Sequence, residues 1–149
     1  MKHLLLIIIC LIILTGCSKK NDASKQPLIV GHWDYAKDSV STYFADTLFN
    51  TSITEAQGSY YQFNADGTGL IYFNPEGLTS NITYQVNGSN LTIHFAASRT
   101  NSGIAIPAYT AIPKITSLTA HQLVIVYDSG IIATNASNRR DVETTTLTK

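Results

Sequence analysis

Charge is scarce in this chain. Asp, Glu, Lys and Arg make up 13% of the residues, and ten basic side chains balance ten acidic ones. A nucleic-acid or anionic-membrane surface needs clustered positive charge, so no nucleic-acid partner is expected. Cysteine is limited to Cys10 and Cys17, too few for a disulfide framework or a thiolate metal cluster. Catalytic patterns are missing as well. No serine lies in a G-x-S-x-G elbow, and His32, His94 and His121 have neither H-x-H nor H-x-x-x-H spacing. Asp66 and Glu76 fall in turn sequences, and Asp46 and Glu55 in a loop region. Asp141 and Glu143 share a strand face and read as an exposed edge charge. No enzyme, metal centre or cofactor is therefore expected. A helical apolar stripe is also lacking after the N-terminus.

The one long apolar run is Leu4 to Leu14, preceded by Met1-Lys2-His3 and followed by Thr15-Gly16-Cys17. A membrane-spanning helix needs about 20 apolar residues, and Lys19 and Lys20 end this run early. Leu14-Thr15-Gly16-Cys17 resembles the lipobox of bacterial lipoproteins. The resemblance implies lipidation of Cys17 and removal of residues 1–16 as a signal peptide. One acyl chain anchors a protein only marginally, whereas the three chains implied here hold it in the membrane permanently. Cys17 would be the sole cysteine of the mature chain, so no intrachain disulfide forms and stability must come from a buried core. Ser18 is not the aspartate that resembles an inner-membrane retention signal, so an outer-membrane lipoprotein facing the periplasm is expected.

Residues 17–27 read as a lipidated, flexible tether, since Ser18 to Pro27 is polar and has no apolar period. A single domain is expected over 28–149. Its period is two. Tyr61 and Phe63 share one face, as do Ile82, Tyr84 and Val86, and Leu91, Ile93 and Phe95. Turn sequences Asn64-Ala65-Asp66-Gly67, Asn74-Pro75-Glu76-Gly77 and Asn87-Gly88-Ser89-Asn90 separate these runs. Further strands are expected at 28–35, 43–49, 109–118, 123–127 and 142–147. The spacing predicts an all-β domain of about eight antiparallel strands, either an up-and-down barrel or a two-sheet sandwich.

Gly31-His32-Trp33 resembles the G-x-W signature that opens lipocalins. The hairpin Phe63 to Gly69, Asn87 to Leu91, and Ser117 to Tyr127 are similar to lipocalin-like domains of Gram-negative envelope lipoproteins. This resemblance implies the barrel, with Gly31 and Trp33 as structural signature and Trp33 at the closed end under an arginine, for which Arg139 and Arg140 are available. It carries no second T-D-Y motif and no helix pattern after the barrel. Tyr61, Phe63, Tyr72, Tyr84, Val86, Ile93 and Phe95 are candidates to line a cavity for a small apolar ligand, or else to fill the core. The function expected is non-enzymatic binding. The alternative is a packed barrel acting as an interaction or inhibitor module through residues 36–57 and 99–113, its protein partner unidentified. Residues 99–113 carry two prolines and suit a lid, a contact surface or an irregular edge strand. Asp38-Ser39-Val40 and Asp46-Thr47-Leu48 resemble a bacterial O-glycosylation acceptor at Ser39 and Thr47, and Asp-Ser equally makes turns.

Overall fold

Strands follow the period-two segments. The computed structural model describes residues 26–55, 58–74, 76–100, 102–130, 132–134 and 137–149, so the expected signal peptide, Cys17 and the expected tether up to residue 25 lie outside the described residues. A helical turn α1 (Gln26–Ile29) leads into β1 (Gly31–Phe44), β2 (Thr47–Thr54), β3 (Tyr60–Phe63), β4 (Thr68–Phe73), β5 (Leu78–Asn87) and β6 (Asn90–Phe95). After these come β7 (Ser98–Arg99), β8 (Ala105–Ile106), β9 (Tyr109–Ala111), β10 (Lys114–Leu118), β11 (Gln122–Asp128), β12 (Ile132–Thr134) and β13 (Ser137–Thr148).

Hydrogen-bonded neighbours run β1-β3-β4-β5-β6-β10-β11-β13, and β13 pairs back onto β1 from Asp34↔Thr148 to Phe44↔Arg139. The result is a closed, eight-stranded, antiparallel up-and-down barrel. Closure removes the open edges that a two-sheet sandwich would leave. On β5 the alternation is complete: Ser80, Ile82, Tyr84 and Val86 are buried, while Thr79, Asn81, Thr83, Gln85 and Asn87 face solvent. The turn before β4 is made by its own residues. Asp66 accepts hydrogen bonds from the Thr68 N–H (2.9 Å) and hydroxyl (2.7 Å), and Gly67 takes a φ of 84° that a side chain would disfavour.

Four segments depart from the sequence reading. Residues 26–29 form a helical turn, so the first strand starts at Gly31. Residues 43–49, expected as one strand, contain a hairpin turn at Ala45 and Asp46, both at positive φ (48° and 62°). Residues 109–118 split into β9 and β10 around Pro113, whose ring removes a backbone donor. Residues 36–57, expected among the loops, instead carry most of β1 and all of β2. Their run of Ser and Thr hides a strand because neither face needs to be apolar.

β1 and β13 exceed the barrel wall. Along one edge β1 pairs β3 through Gly31–Asp34 and then β2 through Asp38–Phe44, while β13 pairs β11 and then β12. A ribbon β2-β1-β13-β12 thus continues from the barrel, and β2 is exposed throughout. Inside, burial is graded from one end to the other. Ile29, Trp33, Phe63, Leu91, Leu123 and Leu147 are fully buried and form the closed floor. Above them lie Ile71, also fully buried, and Tyr61, Tyr84, Ile93 and Ile125, nearly so.

Candidate binding site

The floor is organised around Trp33. Its indole N–H donates to the Ile29 carbonyl of α1 at 2.7 Å, which joins the entry turn to the barrel. Above the ring sits a lysine rather than an arginine. Lys149 Nζ lies 4.1 Å from the ring centroid and donates to the Val30 carbonyl at 2.9 Å. The two arginines are occupied at the other end. Arg139 donates to Asp141, and Arg140 forks onto Asp128 (2.9 and 3.1 Å) while lying 5.7 Å over the Tyr43 ring. That fork, with the N–H of Gly130, holds the Asp128 carboxyl at about 2, well below its usual range.

Toward the opposite end the core opens into a cavity of about 270 Å³. Its walls are the rings of Tyr35, Tyr61, Phe73, Phe95, Tyr109 and Tyr127, with Ile93, Ala111, Pro113 and Ile125 between them, and Thr110, Glu143 and Thr145 as the polar members. Tyr109 stacks on Phe95 at 4.3 Å, nearly parallel, because β9 pairs β6 through Phe95↔Tyr109. Residues 109–111 therefore build cavity wall beside β6, and residues 98–99 and 105–106 form the separate β7–β8 ribbon.

Of the candidates read from the sequence, Tyr61, Ile93 and Phe95 line this cavity. Phe63, Tyr84 and Val86 are buried in the core but do not reach it. The Tyr84 hydroxyl donates to the Asn64 carbonyl at 2.6 Å instead. Tyr72 stacks on Tyr60 at 5.4 Å, outside the barrel, because it pairs Tyr60 while Ile71 pairs the buried Tyr61. His32, His94 and His121 are exposed, and among the described residues no three potential metal ligands cluster.

The acidic side of the mouth comes from β1 and β13. On β13, Leu147 points into the floor, so Thr145 and Glu143 point inward above it. Glu143 thus lines the mouth of the cavity while remaining exposed, as the sequence reading expected, and it shares its face with Asp141, which is bonded to Arg139 and Thr42. The parity of Leu147 could have located Glu143 from the sequence. Asp38 could not have been found that way. Trp33 and Tyr35 point inward, and a strict alternation would send Lys37 in next. A β-bulge lies between Tyr35 and Lys37, where the register moves from Tyr35↔Leu147 to Lys37↔Thr146. The extra residue, Ala36, resets the alternation, so Lys37 faces out and Asp38 faces in opposite Thr145.

Asp38 accepts a hydrogen bond from the Thr145 hydroxyl at 3.2 Å and another from Tyr35. Burial nonetheless pushes its carboxyl above the usual range. Burial also raises the Glu143 carboxyl, and the nearby Asp38 charge adds to the effect. The Tyr35 hydroxyl is raised by burial and then by Asp38 and Glu143. Such a site can take up an apolar body and offer a negative pole to it.

Fold and site together describe a small closed β-barrel with a plugged floor and an aromatic, acid-lined mouth. No family model, curated protein or solved structure matches the chain.

Proposed function

We propose that this protein is a non-enzymatic binding lipoprotein, anchored through Cys17 to the outer membrane and facing the periplasm, whose lipocalin-like barrel holds a small apolar ligand in its mouth. The observation that carries this reading is the cavity of about 270 Å³ walled by six aromatic rings. Binding sites for small molecules are concave and mostly apolar with a few placed polar groups, and this one falls near the lower end of their usual size, about 300 Å³. Trp33 on the floor, under a cation, supports the lipocalin likeness, with Lys149 in the place expected for arginine.

The test is titration of the mature chain, residues 17–149, with a neutral naphthalene alcohol, followed by melting. Saturable binding and a raised melting temperature are expected, since a ligand selective for the folded state stabilises it. Ala111→Trp, which fills the cavity from the short strand β9, should abolish both. Absence of saturation in the parent chain would sink the reading.

A second reading, docking to an envelope protein, is favoured by β2. Leu48, Phe49 and Ile53 are all more than half exposed there, Phe49 at 74%. Exposed apolar side chains grouped on one strand mark contact surfaces more often than singly scattered ones do.

A further inference from the structure

Resting on the binding reading above, we propose that the ligand is a cation: a primary ammonium on an aromatic or aliphatic body, its charged end held at Glu143 beside Asp38 and its body among the rings. Two features of the mouth converge on this class.

The first is uncompensated negative charge. Glu143 lines the cavity, and among the described residues no lysine, arginine or histidine forms an ion pair with it or with Asp38. The two arginines of β13 are engaged elsewhere, Arg139 with Asp141 and Arg140 with Asp128. Asp38 pairs Thr145 across β1 and β13, and Val40 pairs Glu143, so the two acids are diagonal neighbours on one face. Their Cα atoms are therefore about 7–8 Å apart. That separation lets one ammonium group lie within the field of both. Burial disfavours both charges in the empty barrel, and the Asp38 charge adds to the effect at Glu143, so both carboxyls are raised. A bound cation relieves that penalty, whereas a bound anion adds repulsion to it and a neutral body that displaces water offers no opposite charge to offset it.

The second is the wall itself. Tyr35, Tyr109 and Tyr127 stand beside Glu143 in the cavity. Aromatic faces attract cations, and most strongly where water is excluded. An inorganic cation would gain little here. It would need several oxygen ligands from a site with two carboxylates and mostly carbon walls, and among the described residues no three potential metal ligands cluster. An organic ammonium uses both the acid and the rings.

The experiment compares three molecules of one shape with the mature chain: 2-naphthylmethylamine, 2-naphthylmethanol and 2-naphthoate. The expected order is amine, then alcohol, then carboxylate, with at least about a tenfold step between amine and alcohol, equivalent to 1.4 kcal/mol. Glu143→Gln should bring amine and alcohol to within about threefold of each other without weakening the alcohol, and Asp38→Asn should reduce the step partway. Melting of each variant without ligand shows that it is folded. Equal binding of amine and alcohol, or tighter binding of the carboxylate, overturns the cation proposal while leaving the binding function intact. So does a step that survives Glu143→Gln. Failure of all three molecules to saturate overturns the binding function itself.

Discussion

At the scale of single residues, Trp33 and Glu143 mark the two ends of the barrel. Trp33 is fully buried, bonded through its indole N–H and covered by Lys149. Trp33→Ala should lower unfolding free energy by about 3–5 kcal/mol, the range for deleting a large aromatic from a core. Lys149→Met, which keeps much of the alkyl cover, should cost only about 0.5–1 kcal/mol. Chemical denaturation measures both, and a Trp33→Ala loss below about 1 kcal/mol would place the ring outside the folding core. Glu143 titrates in the opposite sense to Asp128. Its carboxyl is raised from 4.5 by the fold, so the stability linked to it is fully present below pH 4.5 and is lost as pH rises through the folded value. Asp128 is lowered from 3.8 to about 2, so its contribution is present above 3.8 and disappears as pH falls toward 2. Glu143→Gln should flatten the fall in melting temperature above pH 4.5 and leave the acid limb unchanged, with the remaining slope due to Asp38. Parallel curves for parent and variant between about pH 3 and 8 would remove Glu143 from the titrating set.

At the scale of elements, the bulge at Ala36 decides which way Asp38 faces. A strand alternates without exception, so one inserted residue exchanges the faces of everything after it. Deleting Ala36 should turn Lys37 inward and Asp38 outward while the pairing of Trp33 and Tyr35 is kept. The expected outcome is a lower melting temperature and a loss of any preference for cationic over neutral ligands. A deletion variant that keeps both the stability and the preference would show that β1 tolerates either register. The legibility of elements tracks the same physics. β3, β5 and β6 have a buried face and a wet face, and their alternation is plain in Tyr61 and Phe63, in Ile82 to Val86 and in Leu91 to Phe95. β2 is wet on both faces and carries no such signal.

At the scale of the whole molecule, the outer face of β5 is polar. Thr79, Asn81, Thr83, Gln85 and Asn87 all point outward from β5, where a strand embedded in lipid would present apolar side chains. The proposed membrane attachment rests on a lipid at Cys17. Cys17→Ser should move the protein from the membrane to the soluble envelope fraction, and retention of the variant in washed membranes would sink the anchor.

The all-β class, most of the strand positions and the inward set around Tyr61, Ile93 and Phe95 follow from the sequence alone, because alternation and turn chemistry act between near neighbours. Pairings across more than a hundred residues do not. The closure of β13 onto β1, the placing of Lys149 over Trp33 and the meeting of Asp38 with Thr145 join the two ends of the chain. Only the folded barrel brings those ends together. Glu143 lay within reach of alternation counted from Leu147, whereas the inward turn of Asp38 became visible only in the tertiary structure, through a bulge whose single extra alanine has no signature in composition or period.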